Sequence, residues 1–108
     1  MTPAFGVPLT AMARILVVDD EPHITEVVSA YLERDGHTVG TASDGDTAFD
    51  LARSTRPDLV ILDVGLPARS GFDVLRDLRA EGIESAVIML TARDELIDRV
   101  AGLELGAD

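Results

Sequence analysis

Three short, continuous apolar runs constrain the fold of this chain most strongly. They are ILVV at 15–18, LVIL at 59–62 and AVIML at 86–90. A strand that is apolar on both sides must be covered on both faces, which is typical of a parallel sheet that lies between helices. Helical patterns alternate with these runs along the chain. The sequence therefore predicts an α/β fold built on a doubly wound parallel sheet.

The segment after the first run has the pattern of an amphipathic helix. Its apolar residues recur at helical spacing: Ile24, Val27, Val28, Tyr31 and Leu32. We expect this stripe to pack on the sheet. Asp20 is the predicted N-cap, Pro22 suits the first turn, and Gly36 is the predicted end of the helix.

Further elements follow in the same alternation. The pattern predicts a weak strand at 37–42 and helices at 47–56, 72–82 and 93–106. Their predicted inward residues are Ala48, Phe49 and Ala52, then Phe72, Leu75 and Leu78, and last Leu96, Val100 and Leu103. We interpret residues 1–13 as a flexible tail and residues 14–108 as one domain.

Charge and cysteine content narrow the classes of function. The 108 residues include 20 acidic and 9 basic side chains, which gives a net charge of −11. Such a surface repels the phosphates of nucleic acids, so we do not expect these residues to bind DNA directly. Cysteine is absent, which excludes thiolate metal sites and fits a reducing cytoplasm. No apolar run approaches the roughly 20 residues of a membrane span, and we expect no membrane association.

Acidic residues follow two of the apolar runs directly. Asp19 and Asp20 come after the first run, and Asp63 comes after the second. The carboxyl ends of parallel strands meet at one edge of a sheet, so we expect the three carboxylates to share a crevice. Two like charges about 4 Å apart cost about 4 kcal/mol at an effective dielectric constant near 20. A raised pKa or a bound cation must offset this repulsion, and carboxylate oxygens favour Mg²⁺.

Thr91 follows the third apolar run directly, and its hydroxyl is predicted to reach the same crevice. Each of these residues also has an ordinary structural interpretation. Asp20 is a suitable helix N-cap, and Asp63 and Thr91 are acceptable residues at the end of any strand. Their joint occurrence at three strand ends favours a functional site over coincidence.

Five short motifs together resemble the receiver domain of two-component response regulators. They are VVDDEP, LVILDVGLP, SGFDVLRDLR, VIMLTA and GLELGAD, and the similarity extends from Arg14 to the last residue. The last motif is most similar to regulators that carry a winged-helix DNA-binding domain after the receiver. The resemblance implies a flavodoxin-like fold that is truncated here before the fifth strand and the last helix. The lysine and the switch aromatic of the family would lie beyond Asp108.

The resemblance also implies roles for individual residues. Asp63 would be the phosphoacceptor, and Asp20 and Asp19 would hold Mg²⁺ together with Asp63 and the backbone carbonyl of Gly65. Thr91 would be the switch hydroxyl. The implied function is a cytoplasmic, non-enzymatic signalling domain that receives a phosphoryl group from a sensor histidine kinase. It would control transcription through a DNA-binding domain outside these residues. We expect the missing strand and helix either in an intact copy of the protein or from a second copy that contributes them by exchange in a homodimer.

Two other functions remain open at this stage. A Mg²⁺-dependent phosphohydrolase would also use an aspartate nucleophile at a strand end. That chemistry usually needs an acid two residues after the nucleophile, where this chain has Gly65. A flavodoxin-like cofactor binder would need a glycine-rich or hydroxyl-rich loop after the first strand, whereas DDEP repels phosphate.

Overall fold

The computed structural model describes residues 12–90, which form four strands and three helices. The strands are β1 (Arg14–Val18), β2 (Thr38–Ala42), β3 (Leu59–Asp63) and β4 (Ala86–Leu90). The helices are α1 (Pro22–Arg34), α2 (Gly45–Thr55) and α3 (Gly71–Ala80). All three apolar runs are strands, as predicted.

The four strands form one parallel sheet in the order β2-β1-β3-β4. Strand β1 lies between β2 and β3, so consecutive strands along the chain are not always neighbours in the sheet. Val18 is paired with Leu62 across β1 and β3, and Asp63 is paired with Leu90 across β3 and β4. This register brings the carboxyl ends of β1, β3 and β4 to the same rim. The predicted α/β class with a parallel sheet is confirmed.

The main core lies between the sheet and the two helices α2 and α3. Alternate strand residues face these helices, because side chains alternate across a strand. The buried cluster includes Leu16, Val18, Val60, Leu62 and Val87 from the strands and Ala48, Ala52, Val74, Leu75 and Leu78 from the helices. Phe49 packs against this cluster and is partly exposed, and Phe72 is half-buried. The predicted inward positions Ala48, Phe49, Ala52, Leu75 and Leu78 therefore face the core, whereas Phe72 is not part of this cluster.

Helix α1 differs from its prediction in burial. It packs against β1 and β2, but none of its residues is fully buried. Ile24, Val27 and Tyr31 are 37%, 42% and 61% exposed, whereas Val28 and Leu32 are half-buried. The apolar stripe is wider than the contact that one helix makes with the sheet, so its outer residues are not covered by residues 12–90. Within residues 12–90 the stripe is therefore only partly covered.

The helix starts also differ from the sequence prediction. The N-cap of α1 is Glu21, which makes no capping hydrogen bond through its side chain, so Asp20 is not the cap. Helix α2 begins at Gly45 rather than Thr47, because the Asp44 carboxylate accepts a hydrogen bond from the Thr47 N–H at 2.7 Å. Gly36 follows α1 with φ +96°, a conformation that glycine adopts at low cost.

Several predictions concern residues outside 12–90. Residues 1–11 of the predicted tail, Thr91 and the predicted helix at 93–106 are among them. Within residues 12–90, no helix is both long and apolar enough to span a membrane.

Candidate metal centre at the carboxyl rim of the sheet

Three carboxylates meet at the carboxyl ends of β1 and β3. Asp19 and Asp20 follow β1 directly, and Asp63 is the last residue of β3. Because β1 and β3 are adjacent and in register, these residues leave the sheet side by side. One carboxylate oxygen from each of Asp19, Asp20 and Asp63 lies within 4.8 Å of the others. The structure thus brings together the three acids that the sequence placed at one edge.

Asp63 is in an environment that disfavours its charged form. Burial raises the pKa of its carboxyl group above the ordinary value of 3.8, and the negative charges of Asp19 and Asp20 raise this pKa further. Hydrogen bonds from the backbone N–H groups of Gly65 and Val64 act in the opposite direction and lower the pKa. The repulsion predicted from the sequence is therefore present at Asp63.

Asp19 and Asp20 differ in how firmly they are held. The Asp19 N–H donates to the Ala42 carbonyl at 3.2 Å, which continues the pairing of β1 with β2 by one residue. Its carboxylate oxygen Oδ1 accepts a hydrogen bond from the Glu21 N–H at 2.9 Å. Asp20 is exposed. Asp19 therefore forms a fixed side of the centre, and Asp20 forms its solvent-exposed side.

The loop after β3, residues 64–70, folds back onto Asp63. The Gly71 N–H donates to the Val64 carbonyl at 2.9 Å and closes the loop. A Cβ atom at Gly71 would lie 2.4 Å from the Asp63 carbonyl oxygen, so the close approach requires glycine. Leu66 is buried and holds the loop to the core, while Gly65 is exposed with open space around it. The loop therefore places Gly65 beside the carboxylates.

The predicted site residue Thr91 lies outside the described residues, but the residue before it, Leu90, lies next to Asp63 in the sheet. Leu90 is opposite Asp63 in the pairing of β3 with β4. The Leu90 carbonyl also accepts a hydrogen bond from the Val64 N–H at 2.9 Å. The chain thus leaves β4 at the rim that carries Asp63.

The donor atoms of this centre suit a hard cation. All three side chains offer carboxylate oxygens, and neither cysteine nor histidine is among them. Mg²⁺ prefers such oxygen donors and commonly binds through one or two carboxylates while it keeps several waters. The elevated pKa of Asp63 gives the same indication, because a cation would offset the repulsion that raises it. The cluster is therefore suited to Mg²⁺.

Sequence reasoning missed one residue of the loop that follows Asp63, Arg69. Its guanidinium group lies over the Phe49 ring and pairs with acids on both α2 and α3. The sequence shows a basic residue in a loop of a strongly acidic chain, which is a weak signal. Its partners are 20, 23 and 8 residues away along the chain, so the packing of two helices against the loop was needed to identify them.

Comparisons with known proteins agree with this geometry. The model of the response regulator receiver domain family matches residues 15–108. The probable transcriptional regulatory protein TcrX of Mycobacterium tuberculosis is 49% identical over 108 residues, which is 100% of this chain and 44% of that protein. The alkaline phosphatase synthesis transcriptional regulatory protein PhoP of Bacillus subtilis is 50% identical over 95 residues, which is 88% of this chain and 40% of that protein. The chain thus spans less than half the length of these relatives.

Solved structures show the same fold. The receiver domain of the Francisella response regulator 1452 has a TM-score of 0.84 at 30% identity, covering 89% of this chain and 79% of that chain. Chemotaxis protein CheY4 of Vibrio cholerae has a TM-score of 0.82 at 34% identity, covering 90% and 82%. The BeF3-activated receiver domain of RstA from Klebsiella pneumoniae has a TM-score of 0.80 at 33% identity, covering 87% and 80%.

Proposed function

This chain belongs to the family of response regulator receiver domains, and from that premise we propose that Asp63 accepts a phosphoryl group from a sensor histidine kinase in the presence of Mg²⁺. The observation that carries the proposal is the meeting of Asp19, Asp20 and Asp63 at one rim, with their oxygens within 4.8 Å of one another. A nucleophilic carboxylate and the acids that hold its metal must share such a site.

The chemistry requires Asp63 in its ionised form. A carboxylate oxygen of Asp63 attacks the phosphorus, and the bond from phosphorus to the histidine nitrogen breaks. The electron pair of that bond stays on the nitrogen, which takes up a proton, and an acyl phosphate remains on Asp63. The raised pKa of Asp63 opposes ionisation in the metal-free chain.

Four residues would hold the metal: Asp19, Asp20, Asp63 and Gly65, the last through its backbone carbonyl. When bound, Mg²⁺ supplies positive charge that offsets the negative charge of the carboxylates and of the transferred group. Asp19 orients one side of the site through its hydrogen bond with the Glu21 N–H. Asp20 contributes the accessible side.

Thr91 is the proposed switch hydroxyl. It follows Leu90, which is paired with Asp63 across the sheet, so it is one residue beyond the rim where the phosphoryl group would sit. A doubly charged group on Asp63 would attract this hydroxyl and shift the loops around it between two states.

The proposed output is control of transcription in the cytoplasm. The relatives TcrX and PhoP are transcriptional regulatory proteins by name, and each is more than twice the length matched here. The net charge of −11 argues against DNA contact through these residues themselves. We therefore assign DNA binding to a separate domain and the kinase contact to this one. We also propose that the domain pairs with a second copy by exchange of structural elements.

Intact mass measurement tests this function directly. The chain is incubated with acetyl phosphate and Mg²⁺, and we expect one phosphoryl group on the wild type and none on Asp63→Asn. The matched control is Asp50→Asn, which removes an exposed carboxylate from α2 and should be phosphorylated like the wild type. Continuous phosphate release without an adduct would instead indicate a phosphohydrolase and would contradict the proposal.

A further inference from the structure

The side chain of Arg69 joins the β3–α3 loop to both neighbouring helices. Its Nε atom is 3.0 Å from an Asp46 carboxylate oxygen on α2, and Nη1 is 3.2 Å from an Asp77 carboxylate oxygen on α3. Its guanidinium carbon lies 4.5 Å from the centre of the Phe49 ring. A single planar group thus makes two ion pairs and one cation–π contact, which a lysine ammonium cannot reproduce.

Arg53 provides an internal comparison for this arrangement. It also lies over Phe49, at 5.3 Å, but its ion pair with Glu81 is 3.9 Å long. The Arg53 side chain is 52% exposed, whereas the Arg69 side chain is 27% exposed. Exposed pairs such as that of Arg53 contribute little to structure. Arg69 is therefore the more firmly held of the two arginines.

The backbone of Arg69 is equally constrained. The Pro67 carbonyl accepts hydrogen bonds from the N–H groups of Arg69 at 2.8 Å and Gly45 at 3.1 Å. A Cβ atom at Gly45 would lie 1.9 Å from the Arg69 carbonyl oxygen, so the loop touches the start of α2. The far end of the loop is thereby fixed to α2 by backbone as well as by side chain.

The loop that Arg69 attaches to α2 and α3 is the short closed segment that directly follows Asp63. The Gly71 N–H bonds to the Val64 carbonyl at 2.9 Å, so Gly65 and Arg69 lie in the same closed segment. We propose that Arg69 is a positioning residue, which holds the β3–α3 loop so that Asp63 and Gly65 present their oxygens to the metal. The metal role of these two residues rests on the proposed function above.

The electrostatic effect and the positioning effect of Arg69 predict different changes in Mg²⁺ affinity when its side chain is removed. Loss of a positive charge from the chain reduces the electrostatic repulsion of a cation, so electrostatics alone would leave the affinity unchanged or tighten it. Loss of a positioning contact would weaken it, because the loop would no longer hold the oxygens in place. The sign of the change in Mg²⁺ affinity therefore distinguishes the two effects.

Calorimetric titration of the full 108-residue chain with Mg²⁺ tests the proposal. We expect Arg69→Ala to raise the dissociation constant roughly three- to ten-fold, which is less than the loss on removing a residue that hydrogen-bonds a metal ligand directly. Arg69→Lys keeps the charge and one ion pair, so its affinity should lie between those of Arg69→Ala and the wild type. The control Arg53→Ala should stay within about two-fold of the wild type, as expected for an exposed pair. An unchanged or tighter affinity in Arg69→Ala, or an equal loss in Arg53→Ala, would overturn the inference.

Amide hydrogen exchange of the metal-free chain provides a second measurement. In Arg69→Ala we expect faster exchange of the Gly45 and Gly71 amides, with the Val60 amide in the middle of β3 unchanged. Unchanged exchange at Gly45 and Gly71 would overturn the positioning role by itself. A wild-type chain that binds no Mg²⁺ would overturn the proposed function instead, so the two failures are distinguishable.

Discussion

At the scale of single residues, Asp63 is under two opposing demands. Its burial and the charges of Asp19 and Asp20 raise its pKa, while the proposed nucleophilic attack requires the ionised form. A cation reconciles them, because positive charge between the carboxylates lowers the cost of ionising Asp63. The repulsion among the three carboxylates in the metal-free site is thus the physical reason why we expect the site to bind a metal.

The pH dependence of stability follows from this raised pKa. The folded chain holds the Asp63 proton more tightly than the unfolded chain, whose pKa is near 3.8. Asp63 therefore contributes stability that is fully present below about pH 3.8 and is lost as the pH rises through the folded pKa. In the absence of metal, Asp63→Asn should raise the melting temperature at pH 7, because it removes the repulsion between Asp63 and the carboxylates of Asp19 and Asp20.

Thermal melts at pH 7 and near pH 3 measure this effect, and the gain should shrink in acid, where wild-type Asp63 is protonated. The exposed carboxylate of Asp50 on α2 provides the control, since Asp50→Asn should not change with pH in this way. A lower melting temperature for metal-free Asp63→Asn at pH 7 would show that repulsion is not the dominant effect at this residue.

A substitution of Asp20 tests whether the three-carboxylate centre binds Mg²⁺. Asp20→Asn removes one negative charge from the accessible side of the centre and should weaken Mg²⁺ binding by roughly ten-fold, because affinity depends on the number of charged ligands. Titration calorimetry measures the change, with Asp50→Asn again as the control. Equal affinity in Asp20→Asn and the wild type would contradict the assigned role of Asp20.

At the scale of elements, the junction between β3 and α3 determines where the loop after Asp63 runs. Ser70 caps α3 by accepting a hydrogen bond from the Asp73 N–H at 3.2 Å. Gly71, the first residue of α3, lies directly against the Asp63 carbonyl. The helix start and the strand end are therefore in direct contact, and the loop between them cannot move freely.

Two alanine substitutions in this segment form a matched pair. Gly71→Ala places a methyl group 2.4 Å from the Asp63 carbonyl oxygen, which forces a backbone shift and should cost roughly 1–3 kcal/mol of stability. Gly65→Ala meets nothing within 4 Å and should change stability by less than about 0.5 kcal/mol. Urea denaturation of both variants measures the difference. Equal stabilities would mean that the close contact at Gly71 is easily relieved.

At the scale of the whole molecule, residues 12–90 cover the two faces of the sheet unequally. Helices α2 and α3 bury one face in a continuous core. On the other face α1 packs on β1 and β2, and Ile88 and Leu90 of β4 are exposed together with Ile24, Val27 and Tyr31 of α1. Exposed apolar side chains at a strand that is paired on one side only within residues 12–90 favour association with another chain.

We therefore expect the 108-residue polypeptide to self-associate as its concentration rises. Light scattering coupled to size-exclusion chromatography should show an increasing molar mass, and Ile88→Lys should shift the chain toward the monomer, because a charge on the strand opposes pairing. Ala80→Lys adds the same charge at an exposed position of α3 and serves as the control. A wild-type chain that stays monomeric over the whole range of protein concentrations measured would contradict this expectation.

The sequence alone determined the parallel α/β fold and the meeting of Asp19, Asp20 and Asp63, since continuous apolar runs require a covered sheet and parallel strands end at one rim. The tertiary structure decided the rest. In the structure most of the apolar stripe of α1 is exposed, and the N-cap of α1 is Glu21 rather than Asp20. The ion pairs of Arg69 with Asp46 and Asp77 also became visible only there. These features depend on how segments that are distant in sequence pack together. The periodicity of apolar residues does not indicate how deeply a side chain is buried or which residues it contacts.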